Sequence, residues 1–220
     1  MLTRMDDFFG YLEVESADRD AGLRLAEAYA GKSNGMADAN DYRALAAVAL
    51  HFRPQRIFEI GTYRGVTSDF FLALLPECSL VSIAYPRPWW KWSGNRFNNS
   101  ELPKKKIGSA VDASRRHRFT QLYGNSHKIV PARFVEQYGL CDLVLIDGDH
   151  TAEGVALDTE LAMKLIRDEG VICWHDANPI PKLLAVRRYL EDTCPLHAIA
   201  TRDDYVGGVA AWSRTIEAGH

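Results

Sequence analysis

Residues 142–155 read DLVLIDGDHTAEGV. The run Leu143 to Ile146 is continuous and β-prone, as in a strand buried on both faces of a parallel sheet. It ends abruptly in Asp147, Gly148, Asp149 and His150, and a helical pattern follows over 151–167. Leu157, Leu161 and Leu165 fall at i, i+4 and i+8 and predict one apolar face on that helix. A strand, a polar tip and a helix form the repeating unit of an open α/β sheet, in which ligands bind beyond the carboxyl ends of the strands.

The same rhythm extends outward in both directions. Strands are predicted over 56–60, 79–84, 119–123, 142–147 and 170–175, with helices over 65–75 and 179–192. Two closing strands, 196–201 and 205–213, predict an antiparallel edge. Upstream, helices are expected over 4–14, 18–30 and 41–51, the last stopped by Pro54. The expected organisation is a helical extension over residues 1–38 and one Rossmann-like, doubly wound domain over 39–220.

The totals exclude several classes. The chain has 220 residues, is 47% hydrophobic and carries a net charge of −3, which suits one globular domain with a full core. Cys78, Cys141, Cys173 and Cys194 are far apart, so neither a zinc finger nor a disulfide framework is expected. Cys141 and Cys173 read as small buried residues. No apolar run has the length of a membrane span and no leader pattern opens the chain, so a cytoplasmic protein is expected.

Charge is segregated. Residues 86–133 hold eleven Lys and Arg against Glu101 and Asp112, or 11 − 2 = +9, leaving −12 for the remainder. Within this stretch PWWKWSGNRF places Trp89, Trp90 and Trp92 around Lys91. The segment 86–118 is longer than a simple crossover. It reads as a lid whose aromatics stack on substrate and whose arginines bind anionic groups, as a packed cover or dimer contact, or as a nucleic-acid surface.

Two sites carry chemistry. The turn EIGTYRG brings Glu59, Gly61, Thr62 and Gly65 between the first predicted sheet strand and its helix, where glycine lets a ligand lie on bare backbone. The spacing is not GxGxxG and no P-loop lysine follows, so a dinucleotide or nucleoside triphosphate is not expected. An acid two residues before the glycine suits a cationic ligand. At the other site, Asp147 and Asp176 end adjacent strands, about 4.8 Å apart in backbone. Two carboxylates that close repel unless protonated or bridged by a cation, so a divalent metal is one reading. His150 and His175 flank the pair, and imidazole favours manganese, iron or zinc over magnesium. The alternative is that the acids cap helices and turns and that His175 is an interior histidine. Asn178 reads as the N-cap of the helix opened by Pro179.

FEIGTYRGVTS (58–68), followed by DLVLIDGDHTAEGVALDTELAMKLIRDEGVICWHDAN (142–178), resembles the class I S-adenosylmethionine-dependent methyltransferases. The closer likeness is to O-methyltransferases with a D-G-x-H motif after the fourth strand, relatives of catechol and macrolide-sugar enzymes. The resemblance spans residues 40–213. It implies seven strands with the last antiparallel, S-adenosylmethionine as cofactor, and Glu59, Gly61 and Gly65 around its amino-acid part. On this resemblance Tyr85, Asn125, Ser126 and Asp147 belong with the nucleoside. Asp147, His150, His175 and Asp176 would hold Mg2+ or another divalent cation, with Asp147 and His150 also catalytic. A small-molecule hydroxyl, anionic or aromatic, is the implied acceptor, and a homodimer is compatible. Three departures stand out: Ala84 occupies the end of strand two, where relatives place an acid for the ribose; strand three ends YGNS (123–126), where relatives often have Gly-Asp-Ser; and Ala177 follows Asp176 where catechol-type relatives have Asn. Asp158 matches an aspartate of the relatives and reads as an exposed helix residue. The competing functions are a non-catalytic binding or scaffold protein and an RNA methyltransferase.

Overall fold

The computed structural model describes residues 2–5, 7–33, 37–86, 102–178, 184–201 and 207–217. The tryptophan-rich part of the basic insert, the helical reading of 179–183 and the start of the last predicted strand lie outside these residues.

The strands are β1 (Leu2–Met5), β2 (Arg56–Ile60), β3 (Ser79–Ala84), β4 (Phe119–Tyr123), β5 (Cys141–Ile146), β6 (Ile166–His175), β7 (Ala198–Thr201) and β8 (Val209–Trp212). The helices are α1 (Phe8–Tyr11), α2 (Ser16–Ala30), α3 (Ala39–Phe52), α4 (Val66–Leu74), α5 (Pro131–Tyr138), α6 (Ala152–Leu165), α7 (Leu184–Arg188) and α8 (Arg214–Glu217). They build one eight-stranded sheet in the order β1-β7-β8-β6-β5-β2-β3-β4. All neighbours pair in parallel except β8, which is antiparallel to both β6 and β7. The expected doubly wound sheet with an antiparallel last strand is therefore present. Among the described residues, no helix is long and apolar enough to cross a membrane.

Strand periodicity divides the core in two. Ile57, Leu143, Leu145, Val171 and Cys173 point to one face, where α1 to α4 pack. Phe58, Ile60, Val144, Ile146, Ile172 and Trp174 point to the other, under α5 to α7. Both sets are buried because successive side chains of a strand alternate faces and both faces are covered. Cys141 and Cys173 are buried free thiols, as expected.

Two expectations are corrected. Residues 2–5 are not the start of a helix but an edge strand in parallel register with β7, Leu2 opposite Ala198. Four residues carry too little pattern to announce a strand, and the open edge of β7 supplies the hydrogen-bonding partners that decide it. The face of α6 is also rotated from the leucine reading. Leu161 and Leu165 are buried, but Leu157 is 37% exposed, and Val155, Asp158, Thr159 and Ala162 complete the inward face. Trp174 explains part of this, since its indole Nε1 donates to Thr159 Oγ1 at 2.9 Å. The helix start that Asn178 is expected to cap lies outside the described residues; Asn178 itself is fully buried, and its carboxamide oxygen accepts from Arg4 Nη1 at 3.0 Å, tying β1 to the end of β6.

Candidate active site at the tips of β5 and β6

The parallel pairing of β5 with β6 sets Ile146 opposite Trp174, so Asp147 and Asp176 leave the sheet side by side with His175 between them. Asp176 has a positive φ of 58°, a conformation aspartate tolerates better than most residues. His175 Nδ1 lies 3.1 Å from Asp147 Oδ1 and 3.5 Å from Asp176 Oδ1. His150 Nε2 lies 2.9 Å from Asp176 Oδ2 and 3.5 Å from Asp147 Oδ1. Yet the buried Nε2 atoms of both histidines lack an aligned hydrogen-bond partner. The unpartnered nitrogen of His150 lies on the side of the two acids, whereas His175 Nε2 faces Asp41 Oδ2 at 3.3 Å and its Nδ1 bonds Asp147. Asp147, His175 and Asp176 each offer a ligand atom, all within 4.8 Å of one another.

The electrostatics agree. Burial opposes a charge on His150, but the carboxylates of Asp147 and Asp176 outweigh it and raise the imidazole to about 10. His175 is likewise raised well above its ordinary value against burial, by Asp147, Asp176 and Asp41. Burial raises Asp147, but the two histidines reverse this and hold its carboxyl far below the usual range.

Opposite the acids stands the glycine turn. Gly65 N donates to Thr62 O at 2.7 Å, and Gly65, at φ 83°, occupies the N-cap of α4 with no side-chain cap. Gly61, at φ 110°, leaves no room for a side chain: a Cβ there would lie 1.8 Å from the carbonyl oxygen of Asp147. The glycine thus lets β2 exit directly against the tip of β5. Turn and tips together line a cavity of about 380 Å³ that includes Gly61, Thr62, Gly65, Asp147, His150, His175 and Asp176.

This fold and site can be set beside known proteins. Residues 58–177, which are 120 of the 220, match the family described as Methyltransferase domain. The chain belongs to this methyltransferase family. No curated protein matches it. Among solved structures, an O-methyltransferase from Bacillus cereus in complex with S-adenosylhomocysteine is 17% identical, over 91% of this chain and 92% of that one, with a TM-score of 0.54. The O-methyltransferase TomG from Streptomyces achromogenes, in complex with S-adenosylmethionine, is 20% identical over 87% and 89%, at 0.52. MycE from the mycinamycin pathway, in complex with Mg, S-adenosylhomocysteine and mycinamycin VI, is 17% identical over 90% of this chain and 56% of its own, at 0.54. At these identities the likeness is one of fold.

Glu59, expected at the amino-acid part of the cofactor, and Tyr85, Asn125 and Ser126, expected at the nucleoside, are not among the residues lining this cavity. Glu59 is buried beneath the turn, where its Oε2 accepts from Ser82 Oγ at 2.6 Å and from Ser68 Oγ. Burial pushes its carboxyl up to about 7, against the two serine bonds and with a contribution from Asp147. Tyr85 is 57% exposed beyond β3. Asn125 caps the short turn 126–128 by accepting from His127 N at 2.9 Å. Ser126 Oγ donates to Asp158 Oδ1 at 2.7 Å. Asp158 is correspondingly not exposed but fully buried, with His127 Nε2 at 3.3 Å. Its match to the relatives' aspartate was the available signal; helical position alone could not say which way it faces.

Among the described residues, three arginines of the insert follow its reading as a packed cover. Arg115 Nε and Nη2 donate to Asp69 at 2.8 and 2.9 Å. Arg116 donates to Gly108 O at 2.6 Å. Arg118 donates to Leu72 O, Leu75 O and Cys78 O at 2.7, 3.0 and 2.8 Å, closing the end of α4. These three fasten the insert to the sheet and do not reach into the cavity. Sequence reading missed Asp41 altogether. It is fully buried and faces His175 Nε2 at 3.3 Å. Its one signal was the capping box Asp38-x-x-Asp41.

Proposed function

We propose that this methyltransferase uses S-adenosylmethionine to methylate a hydroxyl of a small molecule, with a divalent cation at Asp147, Asp176 and His175. The observation that carries the reading is the convergence of acid tips and glycine turn on one cavity. The donor set fits a cation: two carboxylates and one imidazole with ligand atoms within 4.8 Å, beside the buried Nε2 of His150, which lacks an aligned partner. The turn suits the amino-acid end of the cofactor. Gly65 leaves the first N–H groups of α4 without a side-chain cap, and such a helix start attracts a carboxylate. The end of β3 offers Ala84 and no acid to the ribose, which predicts weak cofactor affinity.

When bound, the cofactor supplies an electrophilic methyl and the cation acidifies the acceptor hydroxyl. The protein supplies placement, the main source of rate in such a displacement. His150, on the cavity wall, is the group within reach to take the hydroxyl proton. A cation held by Asp147 and Asp176 would offset the two carboxylates that raise His150 and would favour the neutral form a base requires.

Methyl transfer from labelled S-adenosylmethionine to a panel of hydroxylated acceptors, with and without a chelator, tests this. Product that disappears with chelator and returns with Mn2+ supports the full reading. Product indifferent to chelator removes the cation, and no S-adenosylhomocysteine binding at millimolar ligand removes the enzyme.

A further inference from the structure

A histidine can ligate a metal through one ring nitrogen only if the other carries the proton. His175 presents its two nitrogens to different carboxylates. Nδ1 faces Asp147 and Asp176 at 3.1 and 3.5 Å, on the cavity side. Nε2 faces Asp41 Oδ2 at 3.3 Å, away from the strand tips.

Asp41 is fixed from several directions. It sits in the first turn of α3, where Oδ2 accepts from Asp38 N at 2.7 Å. Oδ1 accepts from Gly208 N, also at 2.7 Å. The loop before β8 makes room for it: at Gly207, with φ 103°, a Cβ would stand 2.6 Å from Asp41 Oδ2. A carboxylate that merely capped α3 would not require burial against an imidazole. Here the helix start, a glycine loop and the end of β6 close around one acid.

We propose that Asp41 is a positioning residue for His175. It holds the proton on Nε2 and so directs the Nδ1 lone pair at the point shared with Asp147 and Asp176. This deepens the proposed function and rests on its metal reading. A carboxylate behind a ligating histidine fixes the ring's tautomer and orientation and increases its basicity, and its loss typically costs about 10- to 100-fold in metal affinity.

The test is Mn2+ binding by calorimetry for the wild type, D41N, H175A and the double variant, with S-adenosylhomocysteine binding measured in parallel. D41N should weaken Mn2+ by about 10- to 100-fold and leave S-adenosylhomocysteine within about twofold. In the H175A background, D41N should have no further effect, because the residue acts through the ring. Equal loss in both backgrounds would mean that Asp41 acts through packing alone, and wild-type affinity in D41N would likewise overturn the proposal. Should D41N fail to fold, the wild type decides. In 15N-histidine-labelled protein loaded with Zn2+, His175 should carry its proton on Nε2 and the metal on Nδ1; the reverse arrangement contradicts the assignment. A wild type that binds S-adenosylhomocysteine but no Mn2+ sinks the metal reading and this proposal together, leaving cofactor use intact.

Discussion

Two acidic clusters flank the glycine turn, and they are built in opposite ways. At Asp69, on α4, every contact is aligned: Arg115 donates twice at 2.8 and 2.9 Å, Tyr29 Oη donates at 2.5 Å and Asp112 N at 2.9 Å. At the tips of β5 and β6 the approaches are longer, 2.9 to 3.5 Å, and the buried Nε2 of His150 stays without an aligned partner. The first cluster is complete and fastens the insert to α2 and α4. The second converges on a point that the protein's own atoms do not satisfy. Similar residue types thus make a fastener in one place and a candidate ligand set in the other, and alignment rather than proximity distinguishes them.

The largest effect should come from the tips. D147N should weaken Mn2+ by at least about 100-fold, beyond the loss expected for an outer partner, and should lower the thermal midpoint of metal-free protein as well, because the two histidines lose a carboxylate partner. Calorimetry and a melting curve on the same sample check both halves. The fastener should respond in stability alone. D69A leaves Arg115, Tyr29 and Asp112 N without their acceptor and should cost about 2–3 kcal/mol, or roughly 4–12 °C for a chain of this size, with Mn2+ affinity unaltered. A D69A protein that melts normally but loses the metal would reverse the comparison.

A smaller effect is expected in pH dependence. Arg115 and Tyr29 hold the Asp69 carboxyl below its ordinary value in spite of burial. Its contribution is therefore present above about pH 4 and lost as pH falls through the lowered value. Glu59 has the opposite sign. Burial raises it to about 7, so its contribution is full below about pH 4.5 and is lost as pH rises through 7. E59Q should flatten the melting temperature between pH 4.5 and 7 while leaving the acid limb untouched. An unchanged slope in E59Q would mean that Glu59 does not titrate as its surroundings imply. Least of all, L157A should change stability by under about 0.5 kcal/mol, as for an ordinary surface position, whereas L165A should cost about 2–5 kcal/mol. Urea denaturation of the two variants separates them.

What could be read from the sequence follows from distance along the chain. Asp147, His150 and Asp176 were legible because each lies at or just past the end of an apolar run, and an open parallel sheet brings such ends together. Gly61 and Gly65 were legible as glycines needed by a turn, although the backbone of β5 and the segment at Gly108 demand them as directly as any ligand does. Asp41, Asp69 and Arg115 were not legible, since their partners lie far away in sequence and an acid in a helix looks like a solvated one. Edge strand β1 was hidden for a related reason: it exists through its pairing with β7, not through any pattern of its own.

The central claim is that one cavity seats a sulfonium nucleoside against the glycine turn and a cation against the acid tips. A crystal grown with S-adenosylhomocysteine and Mn2+, examined at the manganese edge, measures this directly. The account predicts an anomalous peak bonded to oxygens of Asp147 and Asp176 and to His175 Nδ1, with the homocysteine over Gly61. A peak elsewhere, or a nucleoside bound away from that turn, would contradict it.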